Sequence, residues 1–306
     1  MTLDIWRRKG ENFMMHTPTV SPFREMGAYE ALWSQSGASF KTLAEKFASP
    51  GAELPSSHVQ ASITNKFASL ALDVLKTAGV GPFGVKIRGT ADFPTGLKDA
   101  AHPLALLYFR GWWEHLENRA IAVVGTRQPS QNGAASGRTL VRELVRNYKM
   151  TIVSGLAKGV DTIAHTTAIR EGGATVAVLG TPIHEAFPAD NRKLFDEIAR
   201  NHLIISQVPI YRWTTSPYPS RKFFFPERNV TMSALTSATV IVEAGETSGT
   251  LIQARAALAQ GRKLFLLEEC FRDKTLSWPL TYLKKGAIRV GSASEIMEHM
   301  PDALTN

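Results

Sequence analysis

The 306-residue sequence contains one cysteine, Cys270. A lone thiol excludes an internal disulfide and a zinc site built from clustered cysteines. Its neighbours, "LLEECF", are acidic and apolar, so it is expected to be packed and not reactive. No run of about 18 apolar residues is present, which leaves nothing suited to cross a bilayer as a helix. The opening stretch, "MTLDIWRRKGENFMMHTPTV", is basic but has no apolar segment before a small-residue cleavage site. No secretory leader is read there, and the expected location is the cytoplasm. Catalytic signatures are missing too: there is no H-E-x-x-H, no G-x-S-x-G and no G-x-x-x-x-G-K-[ST]. Accordingly no catalytic residue, metal or cofactor is expected.

What is present is a sizeable apolar content, 44%, and a net charge of +8. The first suffices for one large domain or two modest ones. The second favours a polyanionic partner without requiring one.

The chain reads as three regions. Residues 1–24, with Arg7, Arg8, Lys9, Pro18 and Pro22 and no periodicity, are expected to be a mobile arm. Residues 25–80 carry helical patterns and form a small helical domain. In "SHVQASITNKFASLALDVLKTAG" the apolar residues Val59, Ile63, Phe67, Leu70, Val74 and Leu75 are expected near one face. Residues 81–306 then alternate short apolar runs with amphipathic stretches. Strands are predicted at 85–87, 104–109, 121–125, 151–155, 175–180, 203–206, 239–244 and 263–268. Helices are predicted at 133–147, 160–171, 191–200 and 249–260. That alternation implies an α/β fold: a Rossmann-like, doubly wound, mostly parallel sheet covered on both faces.

Ligands of such sheets bind beyond the carboxyl ends of the strands, and three strand ends here share one character. "TIVSGLAKGVD" delivers Gly155, Lys158 and Gly159 between a strand and a helix. A helix start concentrates unpaired N–H donors that suit phosphate, and Lys158 adds a full charge. The plainer account is a tight turn with Asp161 as cap. "VVGTRQPSQNG" supplies Gly125, Thr126, Arg127 and Ser130; it is not a dinucleotide fingerprint, but Arg127 offers a planar fork for phosphate. "VEAGETSGT" supplies Ser248, Gly249 and Thr250 after Glu243, which reads equally as an N-cap or a ribose acceptor. Together the three turns would make one electropositive cleft. Asp161 and His165, four apart on one helix face, suggest a local hydrogen bond and not a catalytic dyad.

A fourth element, "YRWTTSPYPSRKFFFPERN", mixes Trp213, Tyr218 and Phe223 with Arg221, Lys222 and Arg228. Interleaved aromatics and cations suit single-stranded nucleic acid, with rings for bases and charges for the backbone. The alternative is a long loop anchored by buried aromatics.

The pieces "VVGTRQPSQNG", "IVSGLAKGVDTIAH", "TVAVLG", "FPERN" and "VIVEAGETSGTLIQARAALAQGR" resemble the DNA-processing protein A (DprA/Smf) family, in its order and at about its spacing. The likeness covers roughly residues 85–290. It implies an extended Rossmann core that binds single-stranded DNA, often as a homodimer, and hands it to a RecA-type recombinase in DNA uptake and recombination. It places Arg127, Ser130, Ser154, Lys158 and Arg228 in a strand-end pocket, with Asn229 beside them in "FPERN" and the N–H groups of the glycine turns as an anion nest. The chain departs from the family pattern at Val230, where a second arginine is usual, and at "LLEECF", where the strand usually runs into Pro-Gly. No C-terminal winged helix is expected after "GAIRV".

Two other functions remain open on this fold. One is a sensor that binds a nucleotide signal in the same cleft, as in antiphage defence. The other is a nucleotide phosphoribohydrolase, whose "PGGxGTxxE" motif would need a glutamate where this chain has Gln253; an amide cannot ionise and cannot take that role.

Overall fold

The computed structural model describes residues 20–48, 54–117 and 119–300. The expected arm lies mostly outside these residues. Its last part does not: Pro22 is the first residue of a helix, Pro22–Trp33. Ser21 caps it, accepting from Arg24 N, and a proline in the first turn loses no hydrogen bond because that N–H has no partner in any helix.

Nine strands form one sheet: β1 (Gly84–Ile87), β2 (Leu106–Gly111), β3 (Ala120–Val124), β4 (Thr151–Ser154), β5 (Thr175–Leu179), β6 (Leu203–Ser206), β7 (Ala238–Ile241), β8 (Lys263–Leu267) and β9 (Ile288–Val290). Their spatial order is β1-β2-β6-β5-β4-β3-β7-β8-β9. All neighbours from β6 to β9 pair in parallel, and the β1–β2 and β2–β6 pairs are antiparallel. The parallel part of the sheet therefore starts at β3, winds outward through β4, β5 and β6, and returns to β7 on the other side of β3. That reversal makes the carboxyl edge of β3 and β7 a topological switch point, where open α/β sheets leave a crevice.

The pleat explains how one sheet serves two cores. In β3, Ala120, Ala122 and Val124 join one apolar cluster, and Ile121 and Val123 join the other. The second cluster is covered by the helices Gln131–Tyr148, Val160–Arg170 and Ala293–Glu298. The first cluster includes the N-terminal helices: Tyr29, Leu32, Trp33, Phe40, Phe47 and Leu75 pack into the same core as the strands. Cys270 lies here as well, buried beneath β7, with its thiol donating towards the Ile241 carbonyl. Burial pushes that thiol up, well above the usual range.

Helix Ala61–Thr77 turns a different face to the core than its large residues suggest. Thr64, Ala68, Ala71 and Leu75 are buried, while Ile63 is exposed. The reason is close approach: Gly27 of the first helix sits against Ala68 and the Thr64 carbonyl, so small residues mark the contact line.

One buried acid ties the N-terminal helix to the sheet. Glu30 Oε1 accepts from Tyr108 Oη (2.5 Å) and Ile210 N (2.6 Å), and its Oε2 from Tyr211 N (3.0 Å). Burial raises the Glu30 carboxyl to about 7. Among the described residues, no helix is long and apolar enough to cross a membrane.

Candidate nucleic-acid interface

The three strand-end turns belong to β4, β3 and β7, which are neighbours in that order. Their backbones touch. Thr126 N donates to the Glu243 carbonyl (2.7 Å), Val160 N to the Thr126 carbonyl (3.1 Å), and Thr250 Oγ1 to the Gly125 carbonyl (3.1 Å). Gly159, at φ +76°, opens the helix Val160–Arg170 directly against Thr126 and Arg127. The turns that carry Arg127 and Lys158 are thus one rigid unit.

The expected nest of free N–H groups is corrected by the structure, because protein carboxylates already hold several of them. Asp161 Oδ2 accepts from Gly155 N and Ala157 N (3.2 Å each). Glu243 Oε2 accepts from Ser130 N and Ser130 Oγ (3.0 Å each), and Ser130 Oγ accepts from Gly133 N as the cap of helix Gln131–Tyr148. Glu243 therefore braces the capping serine and is not itself the cap. The N–H groups of Gly155, Ala157, Ser130 and Gly133 are therefore already bonded within the protein.

Two of the expected pocket residues are structural for the same reason. Ser154 is fully buried, and its hydroxyl donates to the Val123 carbonyl (2.7 Å), stitching β4 to β3. Arg228, on helix Phe224–Ala234, is buried; its Nη1 donates to the carbonyls of Gly155 (2.5 Å) and Val178 (2.8 Å) at the ends of β4 and β5. It also faces Asp161. Burial pushes that carboxyl up, and the Arg228 charge opposes the shift. Gly155 has no side chain because Arg228 fills the space: a Cβ would stand 2.5 Å from its Nη1.

Arg127 and Ser130 are exposed at the rim, as is Lys158, which pairs with Asp190. Asn229 Nδ2 donates to the Gly249 carbonyl (3.2 Å), and Ser248 Oγ accepts from Thr250 N (3.2 Å), so the third turn is held to the Arg228 helix and to itself. Asp161 and His165 do not meet. His165 Nδ1 donates to Thr175 Oγ1 (2.7 Å), whose own proton goes to the Ile152 carbonyl, and burial lowers His165 to about 3.

The aromatic stretch is not a loop. It forms helices Ile210–Thr215, Tyr218–Arg221 and Phe224–Ala234. Trp213 is buried with its Nε1 donating to Glu185 Oε2 (2.6 Å), which removes it from the base-stacking candidates. Arg221 lies 4.9 Å over the Trp213 ring and donates to the Ser216 carbonyl (3.1 Å). Lys222 is exposed, and Phe223 is 75% exposed. The Tyr218 side chain lies outside the described residues.

Sequence reasoning missed Asn191. This buried amide donates to the Leu156 and Ala157 carbonyls (2.9 and 3.3 Å) and to Thr162 Oγ1 (3.0 Å). It fixes the turn in which Leu156 takes the left-handed φ of 62°. Backbone in that region is costly for a branched residue and persists only where surroundings enforce it. Among the described residues, no cluster of His, Cys, Asp and Glu is arranged to hold a metal.

The model of one family, described as DNA recombination-mediator protein A, matches residues 85–301. The chain belongs to that family. The DNA processing protein DprA of Bacillus subtilis is 34% identical over 211 residues, covering 69% of each chain. DprA of Streptococcus pneumoniae is 33% identical over 205 residues, covering 67% of this chain and 70% of its own. The X-ray structure of the Streptococcus pneumoniae protein matches with a TM-score of 0.72 at 26% identity, over 91% of this chain and 98% of that one. DprA of Helicobacter pylori, whose structure addresses its single-stranded DNA binding mode, matches with a TM-score of 0.60 at 26% identity, over 72% and 97%. Val230, where the resemblance led one to expect an arginine, is half-buried and packs against the core.

Proposed function

We propose that this chain binds single-stranded DNA by its backbone at the β4-β3-β7 edge, acts without turnover, and passes the strand to a RecA-type recombinase as a homodimer. The observation that carries the binding reading is the backbone lock between the Thr126–Arg127 and Lys158–Gly159 turns, which presents two cations on one rigid rim. Gly125, Thr126, Ser130, Gly159, Gly249 and Thr250 shape that rim. Lys222 and Phe223 stand exposed on the link between helices Tyr218–Arg221 and Phe224–Ala234, where a ring can meet a base. DprA of Helicobacter pylori, a structural relative, is a single-stranded DNA binder, and the family description as recombination mediators supports the onward transfer.

The absence of turnover rests on Gln253. It is buried, its Nε2 donating to the Asn229 carbonyl (2.6 Å) and its Oε1 accepting from Thr239 Oγ1 and Ser233 N. Such a satisfied amide is a core brace and not a hydrolytic group. Chromatography of nucleoside monophosphates and labelled oligonucleotides after incubation is expected to give no product above a Lys158→Ala control.

The decisive experiment is fluorescence anisotropy with labelled single-stranded and duplex oligonucleotides across salt. Single strands should bind better, without sequence preference, and log affinity should fall linearly with log salt. Equal affinity for duplex, or no salt dependence, would reject the reading. One rival stays open, a nucleotide-signal sensor using the same turns. Affinity that does not grow with oligonucleotide length is the outcome that would favour it.

A further inference from the structure

The Lys158 ammonium already has an anion. Its Nζ is in ion-pair contact with Asp190 Oδ2. The hydrogen bond and charge of Lys158 hold the Asp190 carboxyl below the usual carboxylate range. Both side chains are open to solvent, 57% and 68% exposed. Asp190 is carried on the 3-10 turn Ala189–Asn191, between β5 and the helix Arg192–Asn201. The next residue is Asn191, whose amide bonds the Leu156 and Ala157 carbonyls, two and one residues before Lys158. The carboxylate is therefore mounted on a turn tied to the same backbone that mounts the lysine.

Three carboxylates thus stand where a phosphate ligand would interact. Asp161 and Glu243 hold backbone N–H groups of the strand-end turns. Asp161 is buried and Glu243 half-buried, whereas Asp190 is exposed and bonds a flexible side chain. An exposed lysine–aspartate pair contributes little to stability, so an arriving phosphate can take the ammonium. The displaced carboxylate then stays close by, a like charge beside the phosphate.

We propose that Asp190 is an intramolecular competitor for the DNA phosphate at Lys158 and so sets the affinity of the site. The proposal rests on the single-stranded DNA reading above. In the free protein Asp190 neutralises Lys158. In the complex a phosphate replaces it, and the net gain is the difference between the two pairs. Asp190 thereby keeps short or isolated phosphates from holding the turn, because a ligand must add contacts elsewhere, at Arg127 first, to outweigh the exchange.

The test uses the full chain as wild type, Asp190→Asn, Lys158→Ala and Asp196→Asn, with a labelled single-stranded oligothymidylate followed by anisotropy at several salt concentrations. Asp196 pairs with Arg192 on the next helix and not with Lys158, so its substitution makes the same charge change without freeing that lysine. Asp190→Asn is near-isosteric and exposed, and should melt like wild type. It should bind roughly threefold to tenfold tighter, the size of one like-charge contact removed at a solvated site. Its salt slope should steepen by up to about 0.7, one phosphate's share on a single strand. Asp196→Asn should show neither change. If Asp190→Asn binds like wild type, or gains no more than Asp196→Asn, the proposal is overturned. If the wild type itself shows no salt-dependent binding, the DNA reading falls, and this proposal with it.

Discussion

The carbonyl oxygen of Thr126 stands where a side chain at Gly159 would begin. A Cβ there would lie 2.4 Å from that oxygen and 2.6 Å from the Arg127 carbonyl, and the backbone at Gly159 has φ +76°. Gly159→Ala must therefore push the Arg127 and Lys158 turns apart as well as strain its own backbone. It should cost more than about 1 kcal/mol and weaken single-stranded DNA binding. Gly81, before β1 and outside the rim, is the control, since nothing lies within 4 Å of a Cβ there. Melting curves and anisotropy on the two alanine variants check this; equal behaviour would show that the contact does not organise the rim.

Arg127→Ala should separate binding from folding. The side chain is exposed, so melting should stay within about 0.5 kcal/mol of wild type. Affinity should fall to a similar degree for every oligonucleotide sequence, and the salt slope should flatten by about 0.7. A variant that binds as tightly as wild type removes Arg127 from the interface.

Asn191→Ala tests the brace behind Lys158. Three acceptors lose one donor group, and two of them are carbonyls in a turn with a left-handed leucine. The expected loss is on the order of 1–3 kcal/mol. DNA affinity measured well below the melting temperature should fall too, because the Leu156–Lys158 backbone is no longer fixed. Unchanged affinity in a destabilised variant would confine Asn191 to stability.

Stability should also depend on pH through Glu30. Its carboxyl is raised to about 7 by burial, against an ordinary value of 4.5. Between those values the folded chain binds more protons than the unfolded one, so this contribution is complete below about pH 4.5 and is lost as pH rises to 7. Glu30→Gln should flatten the melting temperature across that window relative to wild type. A melting temperature that falls with pH as steeply in Glu30→Gln as in wild type would contradict the shift.

The doubly wound sheet was legible in the sequence because parallel strands buried on both faces read as plain apolar runs, and the helices between them as amphipathic ones. Eight of the strands follow from such runs. β9 has three residues, Ile288–Val290, too few for a pattern to stand out. The strand-end turns were legible because glycines mark places where a backbone must pass close to another. Asp161 was legible as the partner of its own turn, but the bonds of Glu243 to Ser130, of Asp190 to Lys158 and of Asn191 to the Leu156 turn are set by the tertiary fold and carry no local signal. The stretch 211–229 misled for a related reason. Its prolines suggest a loop, yet Pro219 and Pro226 lie in the first turns of helices, where no intrahelical N–H is needed. Composition cannot tell a ring that is buried, like Trp213, from one that is exposed, like Phe223.

Cys270 has a practical use. Covered by β7 and held as a neutral thiol, it should ignore maleimides under native conditions. A cysteine introduced at Phe223 or Thr247, both exposed, would then be the single handle for a fluorophore. Energy transfer from that dye to one on the end of an oligonucleotide could report the polarity with which a strand crosses the rim, with the natural cysteine left in place.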